Sequence, residues 1–186
     1  MKTLEEQLDA AGLTVFGCCA NLSADAGDLL QTAPLLQDLT HEEADILGAS
    51  MLLIRAQPGQ LLIREGESGD WMLLLLKGTL DVSKRIAPRN DADSGDATPA
   101  ASSSRLAVLQ RGASIGEMSM LDGEPRFASC TAIEAVEAGV LGRQAVALLI
   151  RDHPGVGAKL LVKITQLMAQ QLRNTSNQLV KMLRKK

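Results

Sequence analysis

From Met51 to Ile86 the chain reads MLLIRAQPGQLLIREGESGDWMLLLLKGTLDVSKRI, a succession of short apolar runs cut at Pro58-Gly59, Gly66, Gly69 and Gly78. Runs this short, closed by residues that tolerate tight turns, are the pattern of short strands rather than helices. The segments Arg105 to Gln110 and Arg126 to Leu141 continue it, with β-branched residues scattered between turn signals. Several such strands at even spacing favour a sandwich or barrel. Aromatic residues make up only 2% of a chain that is 46% hydrophobic, so the core must be built from Leu, Ile, Val, Met and Ala. A length of 186 residues suits one domain with appended helices and leaves two full domains cramped.

Helical periodicity flanks the strand-rich region. Over residues 1–33, Leu4, Leu8 and Leu13 lie at nearly helical spacing ahead of a small, polar stretch from Asn21 to Asp28, which predicts one or two short helices joined loosely. Thr40 is a natural N-cap, and Glu43 completes a capping box ahead of Ile46 and Leu47. After Gly142, Arg143 to Arg151 reads as a short helix stopped near His153-Pro154, and a long helix follows to the C-terminus. Its apolar stripe runs through Leu161, Ile164, Met168, Leu172, Leu179 and Met182 in steps of three, four or seven. The strands can cover the first half of that stripe; an identical helix in a homodimer suits the second. The expected division is thus an N-terminal helical extension (1–33), a strand-rich domain (34–153) and a C-terminal lid and dimerisation helix (154–186). Within the strand-rich domain, residues 87–104 are small, polar and acidic with almost nothing to bury, and predict a mobile hairpin insertion. Ser102 to Ser104 are candidates for phosphorylation or a partner contact, against the plainer reading of a tolerated insertion.

Charge and residue inventory narrow the function. A formal charge of −3 argues against a general nucleic-acid binder. No apolar run is long enough to span a bilayer, and Met1-Lys2 leads into Glu5 and Glu6 where a secretion signal would be apolar, so a cytoplasmic protein without a membrane partner is expected. Cys18, Cys19 and Cys130 match neither a disulfide framework nor a metal-ligand spacing and read as reduced thiols. The two histidines, His41 and His153, fall in helical segments and assemble no metal cluster. Ser119 and Ser129 have no histidine nearby in sequence to act as a base. Neither catalytic residues nor a metal site is expected, and the chain does not read as an enzyme.

The chemistry lies in Gly112 to Thr131, GASIGEMSMLDGEPRFASCT. Gly116 lets the backbone come close to a bound group, and the amides that open the turn Glu117 to Leu121, among them those of Met118 and Ser119, are donors for an anion. Arg126 can clamp the anion with a rigid fork of donors that keeps its charge. A carboxylate beside a phosphate would repel it, so Glu117 is better explained as acceptor for a sugar hydroxyl just beyond. A phosphorylated ribose fits; a surface turn in which Arg126 pairs with Glu117, Asp122 or Glu124 is the plainer alternative.

Ile115 to Ala128 resembles the phosphate-binding cassette of the cyclic nucleotide-binding domain family, which includes bacterial catabolite activators and kinase regulatory subunits. The family order is an apolar residue, Gly, Glu, apolar, small, apolar, a short spacer, Pro-Arg and two small residues. This chain follows it except at Phe127, where the family usually carries Ser, Thr or Ala. The turn glycines Gly59, Gly66, Gly69, Gly78 and Gly112 are similar to those of the family's β-roll. The resemblance covers the chain from about Pro34 onward and implies a mainly β fold with flanking helices. That fold is a jelly-roll-like β-roll (double-stranded β-helix) with N-terminal helices and a long C-terminal helix. It implies ligand contacts from Gly116, Glu117, Met118, Ser119, Arg126, Phe127 and Ala128. The stretch Leu172 to Leu179, LRNTSNQL, is similar to the catabolite activator helix whose Thr-Ser pair contacts the base. Thr175 and Ser176 would then be base contacts, one offered across the dimer, or else a polar interruption in a coiled-coil seam. Phe127 lacks the hydroxyl that guanine-preferring members use, which leans toward cAMP over cGMP. Catabolite activators continue into a helix-turn-helix domain, whereas this sequence ends at Lys186. The expected protein is therefore a sensor whose output is an unidentified protein partner rather than DNA. The alternative is the same fold acting as a protein-interaction module without nucleotide.

Overall fold

The computed structural model describes residues 3–86 and 103–184. The chain enters through helix α1 (Leu4–Ala10), strand β1 (Thr14–Cys18) and the short helices α2 (Leu22–Asp25), α3 (Leu29–Thr32) and α4 (His41–Ala49). Strands β2 (Leu52–Ala56), β3 (Leu61–Ile63), β4 (Trp71–Lys77), β5 (Thr79–Arg85), β6 (Ser103–Gln110) and β7 (Ser114–Ile115) follow. Helix α5 (Glu117–Asp122), strands β8 (Ser129–Ala132) and β9 (Val136–Gly142), and helices α6 (Arg143–Asp152) and α7 (Pro154–Leu183) complete it. Two antiparallel sheets, ordered β1-β2-β9-β4-β7 and β3-β8-β5-β6, face each other. Strands distant in sequence are neighbours in space, as when β9 pairs with both β2 and β4. This is the mainly β roll with flanking helices that the glycine-cut runs and the resemblance led one to expect.

Strand β4 shows why its sequence is apolar without alternation. Trp71, Leu73 and Leu75 point between the sheets, into a core with Ile54, Leu62 and Val140. Met72 and Leu74 point the other way, into a second core under the helices with Leu36, Leu47 and Leu160. Side chains alternate across a strand, so a strand covered on both faces needs apolar residues at every position. The helix core is closed by α4 and the first half of α7. Helix α4 begins as predicted: Thr40 Oγ1 accepts from the Glu43 amide while Glu43 Oε2 accepts from the Thr40 amide. Lys159 of α7 donates to both oxygens of Glu43 at 2.7 Å, and that contact holds the Glu43 carboxyl below its ordinary range.

Two expectations need correction. The N-terminal stretch, expected to hold one or two short helices, also holds a strand. Thr14–Cys18 forms β1, which extends the five-stranded sheet by pairing with β2, and Leu8 and Leu13 lie in the core between the sheets. The β1 signal is weak because its residues are mostly exposed and a bulge at Val15/Gly17 breaks the period. The insertion expected over 87–104 ends earlier, since Ser103 and Ser104 already pair with Arg85 and Lys84 in β6; residues 87–102 lie outside the described residues. The apolar stripe of α7 is divided, with its first half covered as expected. Ile164 is buried and Leu161 and Met168 are half-buried, but Leu172, Leu179 and Met182 are exposed on the same chain.

Candidate functional site

Three pieces of backbone bring the cassette together. Strand β7 pairs with β4, setting Ser114 against Leu74 and Ile115 against Leu73, which places Gly116 at the start of α5. Gly116 adopts φ 95°, a left-handed conformation that favours glycine. A Cβ there would also stand 2.7 Å from Arg126 Nη1 and 3.0 Å from the Trp71 carbonyl, so both space and dihedral require the glycine. Arg126 is fixed by the Gly66 turn. The Arg126 amide donates to the Glu67 carbonyl and the Gly66 amide to the Arg126 carbonyl, both at 2.8 Å.

The Arg126 guanidinium is buried, 4% exposed. Its carbon lies 4.3 Å from the centroid of the Trp71 ring, and Nη1 donates to the Gly116 carbonyl at 3.0 Å. Those contacts, rather than an ion pair with Glu117, Asp122 or Glu124, position it. A Cβ on Gly69 would fall 2.7 Å from Nη2, so a second glycine makes room for the fork. Glu117 is 5% exposed; its own backbone amide and the Gln171 side chain favour the charged form of its carboxyl. Glu117 Oε2 and Arg126 Nη2 are both buried without a hydrogen-bond partner among the described residues. An orphaned buried polar atom costs about 1–3 kcal/mol, more when charged, and folded proteins keep few of them. Burial pushes the Glu117 carboxyl above its ordinary value, opposed by its own amide, Gln171 and the Arg126 charge. Burial likewise pushes Arg126 down to about 10, opposed by the charges of Asp70 and Glu117.

Glu117 and Arg126 both line a cavity of about 350 Å³, within the range of about 300–1,000 Å³ of small-molecule sites. Gly116, Glu117, Met118, Ser119, Arg126, Phe127 and Ala128 all line it. The first helical acceptor in α5 is the Gly116 carbonyl, used by the Met120 amide, so the amides of Glu117, Met118 and Ser119 have no partner within the helix. Phe127 does not enter the core: its ring is 56% exposed at the rim. Helix α7 forms the opposite wall with Gln171, Asn174, Thr175 and Gln178, one face of a helix at steps of three and four. Ser176 is exposed and is not part of that wall.

Several residues with a structural part in the site carry no short-range signal. Arg143 donates through Nε to the Met120 carbonyl at 2.6 Å and through Nη2 to the Ser119 carbonyl at 3.1 Å, tying down the C-terminal carbonyls of α5. Gln171 reaches Glu117 across the cavity. Only the polar i, i+3, i+4, i+7 spacing on α7 could have pointed to Gln171 and Gln178. No group of three or more His, Cys, Asp or Glu among the described residues is placed to hold a metal ion, and no described helix is long and apolar enough to cross a membrane. Cys18 is exposed; burial pushes the thiols of Cys19 and Cys130 up to about 11 and about 12.

A β-roll with a buried Gly-Glu/Arg cassette defines a class of small-ligand regulatory domains, and sequence comparison identifies it. The model of the cyclic nucleotide-binding domain matches residues 53–153, more than half of the chain, and the chain belongs to that family. A cyclic nucleotide-binding domain from Methylobacillus flagellatus is 28% identical, with a TM-score of 0.74 over 97% of this chain and 92% of that one. A CRP-like cAMP-activated global transcriptional regulator of Mycobacterium tuberculosis is 24% identical over 84% of this chain and 62% of its own length. A cGMP-dependent protein kinase of Eimeria tenella is 30% identical over 64% of this chain but 10% of the kinase. The chain thus spans less than two thirds of these two curated relatives.

Proposed function

We propose that this protein is a cAMP sensor. The observation that carries the reading is that Arg126 and Glu117, each with a buried side-chain atom that lacks a hydrogen-bond partner among the described residues, line one cavity. The ligand phosphate docks on the first-turn amides of α5 and on Arg126, and the ribose hydroxyl donates to Glu117. The base lies toward Thr175 on α7. Helix α7 then reports occupancy, because the ligand interacts differently with docked and undocked states of the helix and shifts their populations. The relatives include both a cAMP-activated regulator and a cGMP-dependent kinase, so the choice of cAMP rests on the residue after Arg126. Phe127 supports that choice, since it offers no hydroxyl to a guanine. The sensor passes its state to a protein partner and works in the cytoplasm.

The output surface is a homodimer seam on α7. Val162, Thr165, Ala169, Leu172, Ser176, Leu179 and Leu183 recur in alternating steps of three and four, the a/d spacing of a two-stranded coiled coil. All but the half-buried Ala169 are exposed. Thr175 faces its own cavity while Ser176, one position on, falls in the seam; Ser176 is thereby offered to the ligand of the second copy.

Trp71 is the single tryptophan and stacks on Arg126, so its fluorescence reads the site. Titration with cAMP is expected to give a saturable spectral change in the micromolar range as phosphate draws the guanidinium from the ring. A flat signal with both cAMP and cGMP to millimolar concentration overturns the reading in favour of a protein-interaction module.

A further inference from the structure

The cavity has two unlike walls beyond its phosphate end. On the α7 side stand the polar groups of Gln171, Asn174, Thr175 and Gln178. On the strand side the rim is apolar and open: Phe127 is 56% exposed, Leu106 49% and Met118 42%. Isolated surface hydrophobics need no explanation, but a contiguous group on the mouth of a cavity marks a binding surface.

Phe127 is fixed in place from one side. Lys84 Nζ lies 3.7 Å from the ring centroid, donates to the Phe127 carbonyl at 2.6 Å and stands 3.6 Å from Glu65 Oε1. Phe127 lines the cavity and Lys84 does not; the ammonium occupies one face of the ring, so the other face is the one left for a ligand. A ring anchored through its own carbonyl and by a cation over its back loses little freedom on binding, which is how preorganisation favours affinity.

We infer that Phe127, backed by Lys84, is a stacking platform for the nucleobase and a specificity-determining residue for ligands that carry one. The inference rests on the cyclic nucleotide reading. The position after Arg126 gives up a hydroxyl contact to phosphate and gains an aromatic face for a planar heterocycle. The amide groups of α7 meet the polar edge of that heterocycle. Stacking of this kind accepts any base, so it selects nucleotides over base-free phosphosugars, while the α7 amides discriminate among bases.

Calorimetry with cAMP and with methyl riboside 3′,5′-cyclic phosphate, which lacks the base, tests this on the full chain. Phe127→Ala is expected to weaken cAMP about tenfold or more, the order expected for loss of one base–aromatic stack, with the base-free ligand unchanged. Phe127→Trp is expected to restore cAMP affinity, and Lys84→Met to weaken it a few-fold. Equal cAMP affinity in Phe127→Ala and parent overturns the platform and leaves the nucleotide reading intact. Equal weakening of both ligands makes Phe127 a structural support and also overturns the platform. A parent protein silent to both ligands overturns the nucleotide reading and the platform together.

Discussion

The two halves of α7 are built from the same kinds of residue and live in different surroundings. From Val156 to Ile164 the helix gives Val156, Leu160 and Ile164 to the core beneath the five-stranded sheet. It packs so closely on α6 that a Cβ at Gly157 would lie 2.8 Å from the Ile150 Cα. From Gln171 to Arg184 every residue is exposed, including Leu172, Leu179 and Leu183, while one polar face lines the cavity. The first half is held by the fold, whereas the second has no core residues to hold it. A sensor needs this division, because an element that reports a ligand must come from the weakly anchored part of the structure.

The largest effect that separates the halves is in the core. Leu160→Ala is expected to lower unfolding free energy by about 3 kcal/mol in denaturant titration, whereas an effect under about 1 kcal/mol breaks the comparison. In the second half, Leu172→Lys with Leu179→Lys is expected to change the stability of the folded unit by no more than about 0.5 kcal/mol. The same change is expected to turn the proposed dimer into a monomer by light scattering, as is truncation after Leu172; a dimer that survives both places the interface elsewhere. The smallest effect concerns the link from the second half to the cassette, Gln171 to Glu117. Burial raises the Glu117 pKa, so the folded state holds its proton at pH values where the unfolded chain has released it. Stability contributed by this group therefore falls as pH rises above the ordinary carboxyl value of 4.5. The melting temperature of Glu117→Gln relative to parent is expected to climb from pH 4.5 toward neutrality, and a constant difference contradicts a buried carboxylate.

What was legible in the sequence was local. The Thr40 and Glu43 capping box, the glycine-cut strands and the cassette order each depend on residues a few positions apart, where spacing dictates geometry. Strand β1 was missed because a bulged, exposed edge strand shows little hydrophobic period. The division of the α7 stripe into a covered first half and an open second half was visible, but the residue at which it falls, about Met168, was not, because that depends on where β4 and α4 end in space. Arg143, Gln171 and the Trp71 ring under Arg126 join the site across long sequence separations that no motif encodes. Phe127 was visible as a departure, and only its position over the cavity with Lys84 behind it gives the departure a physical role.

The central claim is that Arg126 and Glu117 hold a cyclic nucleotide. Calorimetric titration of cAMP into parent and Arg126→Leu proteins tests it most directly. Micromolar or tighter binding in the parent that weakens on the order of a hundredfold or more in the variant is expected, since a buried charge partner is worth about 3 kcal/mol or more. Equal binding by the two proteins, or no heat from the parent with either cAMP or cGMP, contradicts it.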